Sequence, residues 1–303
     1  MKYVITGGAG HISKPLAENL LAKRHDVTVI GRNVKNIEEL IAKGAKAAIG
    51  SVEDVNFLTK TFQGADAVYT MVPPTMSATN WKKWIAQIGK NYAQAIKASG
   101  VKHVVNLSSI GAHLPDGCGP VSGLYHVENE LNELNDVHIK HLRPASFYSN
   151  FFAQFGLIKN LGIAGGNYGE TGKLLVLVDT NDIADVAAEE LLSLEFKGHT
   201  VRYIASDVKT GEEVAKILGS AIGKPQLPWV VFTDEQSLSG AIQAGLPEEI
   251  AKNYTEMGAA IRSGAMFEDY FKNPPSILGK TKLETFAKTF AAAFNNQEAL
   301  VAH

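Results

Sequence analysis

Short apolar runs alternate with segments of helical spacing through the first half of the chain. Apolar and β-branched runs typical of strands occur at residues 3–6, 27–30, 47–49, 67–72, 104–107 and 139–142. Between the first two runs, Leu16 and Leu20 have the spacing of one helix face, and Gly44 and Gly100 end later helical segments. This alternation predicts an α/β fold, a doubly wound parallel Rossmann sheet with helices on both faces. A ligand crevice is then expected at the carboxyl ends of the strands.

The pattern loosens after Pro144, where a glycine-rich stretch replaces the regular alternation. Two later strands of the same sheet and two later helices are predicted, at residues 174–178, 201–205, 212–222 and 247–261. We therefore predict a nucleotide-binding Rossmann domain at residues 1–145, with later strands from about 173–206. Residues 146–172 and 207–303 are predicted to form a smaller C-terminal substrate lobe that covers the crevice.

A glycine loop directly follows the first predicted strand and precedes the first helix. Its spacing is Gly7-x-x-Gly10-x-x-Ser13. Glycines let the backbone approach a pyrophosphate closely, and the N–H groups and dipole at a helix start attract negative charge. The loop therefore predicts a dinucleotide site, with a glycine turn that binds no ligand as the alternative. The residues predicted to bind the cofactor here are Thr6, Gly7, Gly10, His11 and Ile12.

The end of the second strand predicts which nucleotide binds. An NAD site usually has a carboxylate there to hold the adenine ribose hydroxyls. This chain instead has Arg32 and Asn33, with Lys35 close behind. Guanidinium matches the geometry of phosphate, so these residues favour the 2′-phosphate of NADP(H) over NAD(H). The alternative is an arginine that is merely solvated.

Several further motifs follow one another along nearly the whole chain. They are Gly64-Ala65-Asp66-Ala67-Val68, Val72-Pro73-Pro74, Leu107-Ser108-Ser109, His126-x-x-x-Glu130, Arg143-Pro144-x-x-Phe147-x-x-Asn150, Asp182-Ile183-Ala184, Phe267-Glu268-Asp269-Tyr270 and Leu278-Gly279-Lys280-Thr281. With the glycine loop and Arg32, this order resembles the NmrA-like group of atypical short-chain dehydrogenases/reductases. The resemblance implies that Val72, Pro73 and Ser108 also contact the cofactor.

Whether the chain has the catalytic dyad of short-chain dehydrogenases is decided at Tyr125 and the residue four positions later. Short-chain dehydrogenases use a tyrosine and a lysine four residues later, and the lysine assists proton transfer by the phenol. The fourth residue after Tyr125 is Asn129, a neutral amide that supplies no cation. Ordinary alcohol dehydrogenation and sugar-nucleotide epimerisation, which use this dyad, are therefore disfavoured. Loss of the dyad agrees with the resemblance, and Tyr125 has an alternative role as a packing aromatic.

Four other positions are candidates near the nicotinamide. Ser109 follows the fifth strand and is expected either to orient a carbonyl or to bond the loop backbone. His126 and Glu130 share a helix face, so His126 is a candidate acid, with a structural pair as the alternative. Phe147 is predicted to border the nicotinamide, and Asn150 to hydrogen-bond a carbonyl or quinone oxygen.

Three further observations limit the chemistry. Asn181 or Asp182 precedes an apolar helical run and is predicted to cap that helix rather than act as an acid. No third ligand accompanies the pair at His126 and Glu130, so no metal site is predicted. The one cysteine, Cys118, excludes an internal disulfide.

Composition narrows the class of protein. The formal net charge is −2, from 29 Lys+Arg and 31 Asp+Glu, so no nucleic-acid partner is expected. No apolar run approaches the roughly 18 residues of a membrane span, and Met1-Lys2 leads directly into a strand without a signal sequence. We expect a cytoplasmic protein without membrane contact. The tail from Asn295 is predicted to fray.

These features predict an NADP(H)-binding oxidoreductase that passes hydride from NADPH to a small quinone-like or carbonyl acceptor. The missing lysine is no handicap for such a reaction, because the enzyme mainly orients nicotinamide against acceptor. One alternative is a non-catalytic NAD(P)H sensor that regulates a protein partner. A second alternative is a sugar-nucleotide epimerase or dehydratase, which Asn129 disfavours. The sequence leaves the acceptor and the oligomeric state open.

Overall fold

The computed structural model describes residues 1–296 and confirms the doubly wound α/β fold. Its strands are β1 (Lys2–Ile5), β2 (Asp26–Gly31), β3 (Lys46–Ile49), β4 (Ala67–Thr70), β5 (His103–Leu107), β6 (His138–Pro144), β7 (Ser146–Phe147), β8 (Ala164–Gly166), β9 (Leu174–Val178), β10 (His199–Ile204), β11 (Asp207–Thr210) and β12 (Trp229–Val231). Its helices are α1 (Ser13–Ala22), α2 (Glu38–Ala42), α3 (Val55–Phe62), α4 (Trp81–Ser99), α5 (Pro120–Asn132), α6 (Phe155–Leu161), α7 (Thr180–Ser193), α8 (Gly211–Ala221), α9 (Asp234–Gln243), α10 (Glu248–Ser263), α11 (Glu268–Lys272) and α12 (Leu283–Asn295).

Seven strands form a parallel sheet in the order β10-β6-β5-β4-β1-β2-β3. In the centre, Val4 of β1 lies opposite Thr28 of β2 and Val68 of β4. The strand order therefore reverses between β1 and β4, and the connections that leave these two strands run to opposite sides. A crevice opens at such a point, outside the carboxyl ends of the strands. We call this side of the sheet the carboxyl edge.

The core lies on both faces of this sheet because alternate side chains of a buried strand point in opposite directions. On β1, Tyr3 and Ile5 join the cluster that includes Leu16 of α1 and Ile183 of α7. Val4 joins the cluster on the other face, which includes residues of α3, α4 and α5. Helices thus cover both faces, as the sequence pattern predicted.

A third apolar cluster forms the core of the smaller lobe, around β9, α8 and α12. The strand predicted at residues 174–178 is present as β9, but its assignment to the main sheet was wrong. It pairs with β7 and, antiparallel, with β11 in a separate three-stranded sheet. The other late strand, β10, does join the main sheet beside β6. An apolar run identifies a strand, but the run itself does not specify the pairing partner.

Three further observations concern the chain end, the helices and groups that could bind a metal ion. Helix α12 ends at Asn295, and the predicted fraying of the tail falls largely on residues 297–303, outside the described residues. Among residues 1–296, no helix is both long enough and apolar enough to cross a membrane. In the same range, no group of three or more His, Cys, Asp or Glu side chains is arranged to hold a metal ion.

Asp182 links the main domain to the loop ahead of α12. Its carboxylate accepts hydrogen bonds from the Ser206 hydroxyl at 2.6 Å and from the Thr281 N–H and hydroxyl at 3.0 Å each. A Cβ on Gly279 would lie 2.3 Å from this carboxylate, so the position requires glycine. The predicted cap of α7 was displaced, because Asp179 accepts the capping bond from Asn181 N–H. The structural role predicted for Asp182 agrees with these bonds.

Replacing Asp182 with alanine should lower the free energy of unfolding by about 3 kcal/mol, because it leaves buried donors unpaired. Urea unfolding measures the loss. The matched control is Asp185→Ala, one turn later on the same helix. The Asp185 side chain is 43% exposed and pairs with Lys280, so its removal should cost less than about 1 kcal/mol. Equal losses in the two variants would contradict this account.

Candidate cofactor and acceptor site

The glycine loop brings the end of β1 close to the start of α1. Gly7 and Gly8 have φ angles of +93° and +59°, a region that other residues rarely adopt. A Cβ on Gly7 would lie 2.5 Å from Ser13 Oγ. The Ser13 hydroxyl donates to the Thr6 carbonyl at 2.9 Å, which closes the turn. The loop therefore keeps its backbone, rather than side chains, at the surface of the crevice.

The start of α1 has the properties of a phosphate cradle. Its N-cap residue, Ile12, makes no side-chain capping bond, and the first turn holds no acidic residue. The Lys14 N–H donates to the Gly10 carbonyl at 3.0 Å and Pro15 has no N–H, so a phosphate would meet the N–H groups that precede Lys14 and the partial positive charge of the helix start. His11 is exposed beside them. A dinucleotide pyrophosphate fits this arrangement, and the cofactor contacts of Gly7, Gly10, His11 and Ile12 stay predictions.

The predicted 2′-phosphate residues lie together after β2. Arg32, Asn33 and Lys35 are all exposed. The Asn33 side chain accepts from the Lys35 N–H at 3.0 Å and so caps the short turn that follows. Within residues 1–296, neither Arg32 nor Lys35 forms an ion pair, whereas many other lysines and arginines of the chain do. Two cations are thus available beside the expected adenosine ribose.

The backbone N–H and carbonyl of Met71, just after β4, are both hydrogen-bonded by side chains. Its N–H donates to Thr6 Oγ1 at 2.9 Å, and its carbonyl accepts from the Tyr92 hydroxyl at 2.6 Å. Burial raises the pKa of Tyr92, which stays protonated as this donor. Thr6 thus positions the chain that leads to Val72 and Pro73, which are half-buried beside the crevice. Tyr92 was not predicted as a site residue, because its partner is 21 residues away.

A buried ion pair supports the end of β5. The Ser108 hydroxyl donates to Glu128 at 2.5 Å, and Arg143 grips the same carboxylate with two bonds of 3.0 and 2.6 Å. The Ser108 side chain is therefore committed to Glu128, and its N–H donates to the Leu142 carbonyl at 2.8 Å, so neither group supports the predicted cofactor contact. Ser109 Oγ donates to the Ile110 carbonyl at 2.9 Å, the local alternative that the sequence left open.

Arg143 extends this network into the lobe. Its guanidinium also donates to the Tyr203 hydroxyl and to Asp269, each at 3.0 Å, and Tyr203 bonds Asp269 as well. Burial opposes the charge of Arg143, but the bonds and charge of Glu128 raise its pKa above the ordinary value. Sequence reasoning did not predict the pairing. The available signal was a glutamate and an arginine on segments whose pattern otherwise indicates burial.

Tyr125 and Asn129 lie on the flank of α5, beside the edge strand β10. They line a cavity of about 170 Å³ together with His199 and Val201. No hydrogen bond within residues 1–296 joins the Tyr125 hydroxyl to Ser108 or Ser109. The helix instead turns Glu128 toward β5 and β6. Tyr125 and Asn129, the two positions expected for the dyad, therefore lie on a different side of α5 from Glu128. Glu128 is one residue before Asn129, and it is the residue that reaches Ser108.

The remaining predicted residues are more exposed. His126 is exposed and packs edge-on against Tyr125, with ring centroids 5.3 Å apart. Glu130 pairs with Lys90 at 3.8 Å. Phe147 is half-buried against the main core, and Asn150 is exposed in the turn Tyr148–Gln154. The catalytic roles of Tyr125, Ser109, His126 and Asn150 stay predictions.

His141 lines the same cavity as Tyr125 and Asn129, and its ring belongs to a row of hydrogen-bonded buried side chains. Asn106 bonds its Nδ1 at 3.1 Å, and Asn132 bonds its Nε2 at 3.0 Å. The Thr70 hydroxyl donates to Asn106 Oδ1, so the Asn106 amide group is the donor to His141. The ring is then neutral, with its proton on Nε2. Burial lowers the pKa of His141 from 6.5 to about 4.

This pKa predicts acid sensitivity. Between the unfolded value of 6.5 and the folded value of about 4, only the unfolded chain protonates His141. The free energy of unfolding should therefore fall by about 3 kcal/mol over that range because of this residue. In urea unfolding, His141→Gln should flatten the pH dependence by that amount. A His126→Gln control removes an exposed ring, and an equal flattening there would refute the assignment.

Comparison with known proteins identifies the nucleotide-binding part. Residues 7–138 match the family model described as NAD(P)H-binding. The match runs from the glycine loop to the first residue of β6. This part of the chain is similar to NAD(P)H-binding proteins, in agreement with the uncapped helix start and the glycine turn. The finding supports a nicotinamide cofactor.

Similarity to individual proteins extends over nearly the whole chain. The NAD(P)H azoreductase of Xenophilus azovorans is 26% identical over 295 residues, which cover 96% of this chain and 98% of the relative. The NADPH-dependent quinone oxidoreductase of Escherichia coli, solved with NADPH, superposes with a TM-score of 0.80 at 21% identity, covering 95% and 99%. Triphenylmethane reductase of Citrobacter sp., complexed with NADP(H), gives 0.76 at 21% identity over the same shares. These similarities bear out the predicted resemblance to NmrA-like atypical short-chain dehydrogenases/reductases.

Proposed function

We propose that this protein uses NADPH to reduce small, flat, electron-poor acceptors of the quinone type. The observation that carries the proposal is the composition of the carboxyl edge. Met71, Leu114 and Phe147 follow the carboxyl ends of β4, β5 and β6, and together with Met257 of α10 they pack half-buried against the main core. Aromatic and thioether groups suit a flat, polarisable ring. No Tyr–Lys dyad for alcohol chemistry accompanies them.

The cofactor preference rests on the end of β2. Arg32 and Lys35 would hold the 2′-phosphate of NADPH, while the glycine loop and the start of α1 would hold the pyrophosphate. After β2 the chain has Arg32 and Asn33, and neither side chain is a carboxylate that could bind free ribose hydroxyls. NADPH is therefore the better ligand, and NADH the weaker one.

Each group of the chain has a limited task in this reaction. When bound, NADPH supplies the hydride. Quinone reduction consumes one hydride and one proton and gives the hydroquinone, and we assign the proton to solvent. Asn150 would donate its amide N–H to the acceptor oxygen, which becomes more negative as hydride arrives. Phe147 and Met257 would hold the ring against the nicotinamide and exclude water.

The relatives support this assignment by their activities. They are an NAD(P)H azoreductase, an NADPH-dependent quinone oxidoreductase and a triphenylmethane reductase complexed with NADP(H). A sugar-nucleotide epimerase would need the dyad in which Asn129 replaces the lysine. We therefore place reduction ahead of epimerisation for this chain.

The test is oxidation of NADPH, followed at its absorbance maximum, with a quinone, an azo dye and a triphenylmethane dye. At least one quinone should be reduced, and Asn150→Ala should lower kcat about 10-fold while leaving the Kd for NADPH unchanged. The control is Asn56→Ala on α3, which also removes an exposed amide. Micromolar NADPH binding without turnover of any acceptor would indicate the nucleotide sensor instead.

A further inference from the structure

Lys82 joins three elements around the carboxyl edge. It lies in the first turn of α4, and its Nζ is 2.7 Å from Asp116 Oδ1 and 2.7 Å from Glu256 Oε1. Asp116 belongs to the connection between β5 and α5, and Glu256 belongs to α10 of the lobe. The Lys82 side chain is 27% exposed and that of Asp116 is 82% exposed. The Lys82 ammonium thus links the start of α4 to the connection after β5 and to α10.

A second set of contacts docks α10 on the start of α4. The Trp81 N–H donates to Glu249 Oε1 at 2.8 Å, and Asn253 also donates to Glu249. The Trp81 ring packs edge-on against Tyr254 at 5.4 Å between centroids. A carboxylate at a helix start is favourable, because it meets unpaired N–H groups and positive potential. This docking is mostly buried and forms the fixed side of the joint.

Each of the two segments that Lys82 contacts carries an apolar residue proposed to lie at the acceptor. Leu114 lies two residues before Asp116, and Met257 directly follows Glu256. At Gly119, with φ +55°, a Cβ would lie 2.1 Å from the Asn253 carbonyl, so backbone meets backbone there. The connection is therefore fixed at Gly119, and at Asp116 it is held by an exposed ion pair.

We propose that the Lys82 bridge is a latch that sets the width of the acceptor crevice and so selects for small acceptors. This inference rests on the proposed function. The Asp116 side chain of the bridge is 82% exposed, and such ion pairs are weak and break readily, whereas the Trp81 docking and the Gly119 contact remain. Opening of the latch separates Leu114 from Met257 at the rim without disturbing the cofactor cradle. Small rings enter the closed crevice, and bulky dyes need the open one.

The test compares Lys82→Ala with Lys83→Ala, which removes an equal charge from the next, exposed position. In the NADP⁺-saturated protein, Lys82→Ala should lower the Kd of a triphenylmethane dye at least 3-fold and leave the Kd for NADPH within 2-fold. Lys83→Ala should change neither Kd. Lys82→Arg keeps both ion pairs and should resemble the unmodified protein.

Hydrogen–deuterium exchange supplies a readout that is independent of dye and turnover. Lys82→Ala should accelerate exchange about 5-fold in residues 112–119, and Lys83→Ala should not. Unchanged exchange, an unchanged dye Kd, or equal effects of the two variants would overturn the latch. Absence of turnover in every variant would refute the proposed reductase, and the dye Kd and the exchange rates would still decide the latch.

Discussion

Replacing Arg32 with alanine should raise the Kd for NADPH about 30-fold and change the Kd for NADH less than 2-fold. The guanidinium would form charge-assisted hydrogen bonds with the 2′-phosphate, and that phosphate is the group that NADH lacks. Arg32 is exposed and forms no ion pair within residues 1–296, so its removal breaks no contact that holds the fold. Titration of cofactor fluorescence gives both constants.

Two further variants interpret the result. Lys60→Ala removes an exposed cation from α3 and should leave both constants unchanged. Adding Lys35→Ala to Arg32→Ala should weaken NADPH binding again, because Lys35 is the second cation at this position. Equal weakening of NADPH and NADH by Arg32→Ala would show that Arg32 does not bind the 2′-phosphate.

Replacing Glu128 with glutamine should lower the free energy of unfolding by about 4 kcal/mol, because it removes the buried carboxylate that pairs with two nitrogens of Arg143 and leaves only the more exposed Asp269 to balance that charge. The carboxylate accepts three bonds, one from Ser108 and two from Arg143, and the neutral amide cannot accept all of them. Turnover should fall as well, since Ser108 and Ser109 lose their support at the end of β5. Urea unfolding and acceptor kinetics measure the two effects.

A double variant separates the ion pair from simple packing. Glu128→Gln combined with Arg143→Met also removes the buried cation that has lost its bidentate partner, and should be more stable than Glu128→Gln alone. The matched control is Glu130→Gln on the same helix. Among residues 1–296, Glu130 forms an ion pair with the half-exposed Lys90 alone, so this change should cost less than about 0.5 kcal/mol. A control loss as large as that of Glu128→Gln would contradict the buried-pair interpretation.

Local sequence patterns were sufficient for the fold and the cofactor cradle. The main sheet and its helices follow from apolar periodicity, and the glycine loop is local in sequence, so its geometry follows from its own residues. The placement of β9 was wrong because its partners, β7 and β11, are very short strands with little apolar character. Nothing in the run at 174–178 distinguishes a lobe strand from a strand of the main sheet.

The candidate site was predictable only in part, because its support comes from distant segments. The bonds of Tyr92, Arg143 and Lys82 join residues that are 15 to 174 positions apart. The position of Tyr125 depends on the rotation of α5, and one residue corresponds to about 100° around a helix. That rotation is set by the burial of Glu128, and no spacing rule for the dyad contains it.

The bonds that hold Met71 between Thr6 and Tyr92 have a consequence for how the nucleotide arrives. They join the glycine loop to the connection after β4, so two walls of the cofactor groove form one unit when the chain folds. A preformed groove loses little conformational entropy on binding, and more of the contact energy then appears as affinity. Spent cofactor can therefore leave, and fresh cofactor enter, without rearrangement of these two walls.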